Sequence, residues 1–222
     1  MQCCTSAPKV TQVKEHYERV CNIALGAALM TETTVDIRQI SAYSNLISNS
    51  VICDQVEKHM EELGPISYTE EELAYARRFQ TAISEMDRKM MPENACAAFG
   101  REVAQEQLKQ PIYTAIAYQN HHEDMKGSTD VGDVSWIVPT AQFNVPTFAA
   151  GTAFHAWQAV AQGKSSIAHK GMLYAAKIMA MTACDFLLEP SLTEKAKTTF
   201  TEMLGGETYP NPLPPECQPG LW

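Results

Sequence analysis

The run 165–188 constrains this chain more than any other. Ser165 or Ser166 caps it, and Ile167, Met172, Ala175, Ile178, Met179 and Phe186 then recur at helical steps. The spacing predicts a long helix with an apolar stripe broad enough to be buried on a sheet. Its most apolar part, 171–188, contains Lys177 and Asp185 and is read as too short and too interrupted to span a bilayer.

Further helices follow from the same periodicity. Over 8–30, Val10, Val13, Tyr17, Val20 and Ala24 mark one face, with Ile23 widening it and Gly26 weakening the last turns. Over 50–63, Val51, Ile52, Val56, Met60 and Leu63 share a side, and Gly64-Pro65 ends the pattern. Thr69 and Glu72 form a capping box that opens a long helix to about Met90, with Leu73, Ala76, Phe79, Ile83, Met86 and Met90 as its stripe. A short polar helix is expected over 99–109, bounded by Pro92 and Pro111. A last one opens at Pro190-Ser191, with Ser191 and Glu194 as a capping box. Strands are expected over 33–40, 134–138 and 141–148, the last two limited by Pro139 and Pro146, which cannot donate to a ladder. From Gly205 the proline-rich tail is read as an extended surface segment.

Charge and cysteine usage exclude whole classes. A net charge of −9 with no basic run argues against nucleic acid and acidic membranes. Seven scattered cysteines, an odd number without a C-x-x-C pair, argue against a disulfide framework and a zinc knuckle, and for a reducing compartment. The first residues lack the charged start and apolar core of a signal peptide, so the expected setting is cytoplasmic.

Candidate chemistry gathers in 127–155. Asp130 and Asp133 lie in a loop of small residues, and His155 follows Gly151. Small residues let a backbone approach a metal or substrate closely. Each of these residues also has a plainer reading: a hydrogen-bonded histidine at a loop–helix junction, and aspartates that cap their own turn. Trp136 and Trp157 are read as packing residues. The cluster His121-His122-Glu123-Asp124 is read as a solvated loop, because adjacent side chains point apart. Gly163-Lys164-Ser165 lacks the earlier glycine of a phosphate loop, since Gln158 stands there, and is read as a helix cap.

The blocks Gly127-Ser128-Thr129-Asp130-Val131-Gly132-Asp133-Val134-Ser135-Trp136, His155-Ala156-Trp157-Gln158, Ala161-Gln162-Gly163-Lys164-Ser165 and Ala168-His169-Lys170-Gly171-Met172 carry a resemblance. They resemble the C-terminal part of the zinc-dependent amidohydrolases of the aminobenzoyl-glutamate hydrolase type, within the superfamily of two-metal carboxypeptidases and deacylases. Weaker matches reach back to Ala7-Pro8-Lys9, so the resemblance covers most of the chain. It implies an α/β fold: a helix-rich C-terminal part of a two-zinc carboxypeptidase-like domain, with a truncated ferredoxin-like lid. The expected divisions are a partial lid and dimerisation domain over 1–49, the C-terminal part of the metallohydrolase domain over 50–204, and the tail over 205–222. It also implies a zinc ligand at His155 and a role for Asp130 in holding a ligand imidazole. The implied reaction cleaves an amide bond to glutamate in a small substrate.

Against the same pattern, several parts are missing. No His-x-Asp pair stands in an apolar setting, since His122-Glu123-Asp124 sits in a polar run. No Glu-Glu pair ends a strand, and Glu70-Glu71-Glu72 fits a helix start. Ser6 replaces the lid arginine of the family. The chain is therefore expected to be catalytically incomplete by itself, either a homodimer or the partner of a missing N-terminal half. The competing expectation is a non-catalytic binding or dimerisation module.

Overall fold

The computed structural model describes residues 7, 9–117, 129–214 and 217. Among them are nine helices: α1 (Val10–Met30), α2 (Ser50–Leu63), α3 (Glu70–Gln80), α4 (Glu85–Phe99), α5 (Arg101–Gln107), α6 (Val131–Ser135), α7 (Trp157–Gln162), α8 (Ser166–Leu188) and α9 (Pro190–Leu204). The chain divides into two units. One comprises 1–49, 122–141 and 197–222; the other comprises 50–121 and 142–196.

Most expected helices form, with caps that explain their ends. Thr69 and Glu72 exchange both bonds of the capping box: Thr69 N–H donates to the Glu72 carboxylate at 2.7 Å, and Glu72 N–H to the Thr69 hydroxyl at 3.3 Å. The helix they open stops at Gln80, however. Ser84 starts a new one, accepting from Asp87 N–H at 3.1 Å, so the expected helix to Met90 is two. The second, α4, runs through Pro92 instead of ending before it. Pro190 is the first residue of α9, as suits a residue without an N–H. Ser191 thus lies inside the helix and donates to Glu189 at 2.8 Å, in place of the expected capping box.

None of the three expected strands forms among the described residues, where one parallel bridge, Ser48 to Thr140, is the sole pairing. Each case has a physical reason. Over 33–40, Val35, Ile37 and Ile40 all stay exposed, so no buried face selects a register. Over 134–138, Trp136 N–H goes to Asp133 C=O and Ile137 N–H to Val134 C=O, which spends on local turns the donors a ladder would use. Over 141–148 the chain is irregular between its two prolines.

In the second unit, α8 packs along α2. Val56, Met60 and Ile178 form a cluster bordered by Leu63, Ile116, Phe143 and Tyr174. Full burial of each such side chain contributes roughly 1.5–3 kcal/mol. Tyr174 donates to Gly64 C=O at 2.8 Å, tying α8 to the end of α2. Towards the other end of α8, one Asp185 oxygen receives Lys58 at 3.0 Å and His59 at 2.8 Å, while the other ring nitrogen of His59 meets Glu62 at 2.9 Å. A second cluster, Ala76, Ile112, Ala149 and Ile167, joins α3 and the start of α8.

The same α3–α8 contact holds a buried carboxylate. Lys170 reaches Glu72 at 2.7 Å. Burial pushes the Glu72 carboxyl up, but hydrogen bonds from Lys170, Thr69 N–H and Ser166, with the Lys170 charge, outweigh it and hold the group at about 2. A carboxyl lowered on folding stabilises the fold above its ordinary value of 4.5 and loses that contribution as pH falls toward about 2. Lys170→Met is therefore expected to flatten stability between those two pH values, as read from denaturant midpoints across the range. An unchanged profile would show that the pair contributes nothing there.

Candidate functional site

The aspartate-rich block turns out to be a clamp within the first unit. Thr129 starts it, its hydroxyl accepting from Val131 N–H at 3.3 Å. The short α6 then presents three side chains to the segment 44–47. Asp133 accepts Ser44 N–H at 2.9 Å, and Ser135 accepts Ile47 N–H at 2.9 Å while donating to Gly132 C=O at 2.6 Å. Trp136 donates its indole N–H to Asn45 C=O at 2.9 Å. Asp133 also faces Tyr209, whose hydroxyl is raised by burial first, and then by the charge and hydrogen bond of Asp133. Gly132 completes the clamp, because a Cβ there would collide with the Ser44 carbonyl. Four of the block's residues are thus explained by backbone anchoring: Gly132, Asp133, Ser135 and Trp136.

Asp130 is not among them. It occupies the position before α6, exposed, and its carboxylate meets the Thr129 hydroxyl at 3.5 Å, the outer limit of a hydrogen bond. Among the described residues the carboxylate has no other hydrogen-bond or ion-pair partner.

His155 stands on the turn before α7 in the second unit. Its φ of 61° is left-handed, a conformation that costs a non-glycine residue about 1 kcal/mol. The side chain is exposed and makes no hydrogen bond or ion pair among the described residues. Its neighbours Phe154 and Trp157 are 77% and 65% exposed, each against a half-buried ring: Phe154 on Phe148 at 6.5 Å and Trp157 on Phe79 at 6.3 Å. The expected packing role of Trp157 is thus partial, while Trp136 is buried.

The turn is held open from behind by a residue that sequence reasoning did not single out. Gln162, fully buried, accepts Ala149 N–H at 2.8 Å and donates to the Thr152 hydroxyl at 3.0 Å and to Gln158 C=O at 3.1 Å. Gly151, at φ 81°, lies where a Cβ would come within 2.5 Å of the Met91 sulfur. Ala150 N–H donates to Pro111 C=O at 2.8 Å. These bonds fix the stretch of chain on either side of His155 and leave the imidazole outside. The available signal was a polar Gln among Ala159, Val160 and Ala161 on a short helix.

The other candidates take ordinary places. Ser165 caps α8, accepting Ala168 N–H at 3.2 Å, which accounts for Gly163-Lys164-Ser165. Lys170 is engaged by Glu72, and His169 is exposed on the first turns of α8. The cluster His121-His122-Glu123-Asp124, together with Gly127 and Ser128, lies outside the described residues. Among the described residues no group of three or more His, Cys, Asp or Glu side chains converges to hold a metal ion. A closed zinc site takes four ligands and a catalytic one three, so the described donors do not fit a complete zinc centre. His155 and Asp130 are both exposed donors, and among the described residues they do not belong to a group of three.

No family model matches the chain, and no solved structure matches it significantly. A curated relative does: a p-aminobenzoyl-glutamate hydrolase subunit of Escherichia coli (strain K12), 37% identical over 217 residues, which are 96% of this chain and 45% of that protein. The chain spans less than half the length of the relative it matches. By sequence, it is a homologue of the C-terminal part of this p-aminobenzoyl-glutamate hydrolase subunit.

Proposed function

We propose that this chain contributes His155 as one zinc ligand to an amide hydrolase site that acts on aminobenzoyl-glutamate-like substrates, and that further polypeptide supplies the remaining ligands and the general base. The observation that carries this reading is the turn at His155. A left-handed, exposed imidazole is mounted on a loop that Gln162 ties from inside through Ala149 N–H and the Thr152 hydroxyl. Strained residues of this kind persist where the surroundings hold them, and they concentrate at working sites. The name of the E. coli relative supports the substrate class, and its word "subunit" supports a partner.

In this reading Asp130 is the carboxylate that orients a ligand imidazole. The fold is the helix-rich C-terminal part of a two-zinc carboxypeptidase-like domain with a truncated ferredoxin-like lid, and the setting is cytoplasmic. In this reading the chain by itself is catalytically incomplete, because the described donors give a metal too few ligands. A second reading, an assembly module without chemistry, is favoured by the exposed Ile23, Leu25, Leu29 and Met30 on the last turns of α1.

The test is release of p-aminobenzoate from p-aminobenzoyl-glutamate in the presence of zinc. It compares the chain alone with the chain co-expressed with the N-terminal part of the E. coli relative. Activity is expected only in the second sample. Turnover by the chain alone would overturn the claim of incompleteness. No turnover by a complex that does form would favour the assembly module.

A further inference from the structure

Helix α8 is apolar nearly all round. One side carries Ile167, Gly171, Ile178 and Thr182 into the second unit, where all four are buried. On another side Met172, Ala176, Met179, Ala180 and Ala183 recur at steps of three and four, with Leu173 flanking them, and all six are exposed. By length and composition α8 is the one helix among the described residues that could cross a membrane, and only 17% of its apolar window is buried. A helix apolar on both sides belongs inside a larger body or in a bilayer.

The charges decide between these. Asp185 on α8 is engaged by Lys58 and His59 of α2, Lys170 by Glu72 of α3, and Lys177 is exposed on α8 itself. The α2 helix packed alongside also carries Asp54, Glu57, Glu61 and Glu62. Drawing α8 into lipid would take these groups with it at several kcal/mol each. The three alanines give the exposed face a low relief, which suits close approach of another polypeptide backbone.

We propose that the Met172–Ala183 face of α8 is the docking surface for the polypeptide that corresponds to the N-terminal part of the E. coli relative. That relative is more than twice as long as the stretch this chain matches, so a body large enough to cover the face exists in a homologous protein. The inference rests on the reading above, that further polypeptide completes the site.

The test uses the full chain co-expressed with the tagged N-terminal part of the E. coli relative, and co-purification is the readout. Ala180→Glu and Met172→Glu each place a charge on the face at an exposed position; Met86→Glu, on the exposed side of α4, is the control. Circular dichroism establishes that each variant is folded. Wild type and Met86→Glu are expected to co-purify, and the two α8 variants to lose at least about tenfold, which is about 1.4 kcal/mol. Retention of both α8 variants at wild-type levels overturns the docking face and leaves the two-part reading standing. Failure of the wild type to co-purify overturns that reading and the face with it. Two further results overturn the face in favour of another occupant: self-association of the chain alone that Ala180→Glu abolishes, and binding of the chain to phosphatidylglycerol vesicles that the same substitution abolishes.

Discussion

Replacing Gln162 by leucine is expected to lower the unfolding free energy of the chain by about 3 kcal/mol and to free the segment that carries His155. Leucine fills nearly the same volume, so no large cavity opens and the effect isolates the amide. Three bonds go: from Ala149 N–H, to the Thr152 hydroxyl, and to Gln158 C=O. The Thr152 hydroxyl keeps its own bond to Ala149 C=O at 2.8 Å. Ala149 N–H has no such reserve, because Ala149 is 2% exposed and water cannot replace the lost acceptor. A buried orphaned donor costs about 1–3 kcal/mol, and the lost bonds on the other two groups add to it. Urea unfolding measures the total. Hydrogen exchange at Ala149 gives the local effect, expected to quicken by about 100-fold, which is about 2.7 kcal/mol of lost protection. Exchange at wild-type rates would show that the loop is held by something other than Gln162.

The contrast between Gln162 and Asp133 shows what the sequence made legible. Both are polar residues that anchor backbone groups. The partner of Asp133 is 89 residues away, at Ser44, and no local pattern points to it. Asp133 therefore read equally as a ligand, an anchor or a loop cap, although its oxygen is already engaged. Gln162 read as nothing in particular, because a polar residue on a six-residue helix gives no periodicity to violate. His155 was legible for a different reason: its resemblance block named it, and in the structure it shares a left-handed backbone with Glu32 alone among the described non-glycine residues.

Helices were legible wherever a stripe and a cap agreed. The break between α3 and α4 escaped because Leu73, Ala76, Phe79, Ile83, Met86 and Met90 keep helical steps straight across it. The Ser84 cap, one hydroxyl bonded to Asp87, decided against the stripe. The expected strands failed for the opposite reason. Alternation marks a chain that is able to pair, and pairing needs a partner and a buried face, which Val35, Ile37 and Ile40 do not have.

His155→Gly is expected to separate a working histidine from a structural one, because the two roles predict changes of opposite sign. Glycine adopts φ 61° without strain, so the substitution removes a penalty of about 1 kcal/mol in the folded chain, against a gain of roughly 0.4–1 kcal/mol in unfolded-state entropy. Stability should therefore stay level or rise by up to about 0.5 kcal/mol. No hydrogen bond is lost, since the imidazole has none among the described residues. In the co-expressed complex the same change deletes the proposed ligand, and aminobenzoyl-glutamate cleavage should fall by at least about 100-fold, beyond what loss of an orienting partner alone produces. His155→Asn sharpens the comparison: asparagine tolerates the left-handed turn but offers an amide in place of the ring, so it should match the glycine variant in both readouts. If the imidazole instead packs or bonds to hold the turn, both variants will unfold at lower denaturant than the wild type. A loss of about 2 kcal/mol or more, or activity within a few-fold of the wild type, would remove His155 from the proposed centre and return it to the surface of an ordinary turn.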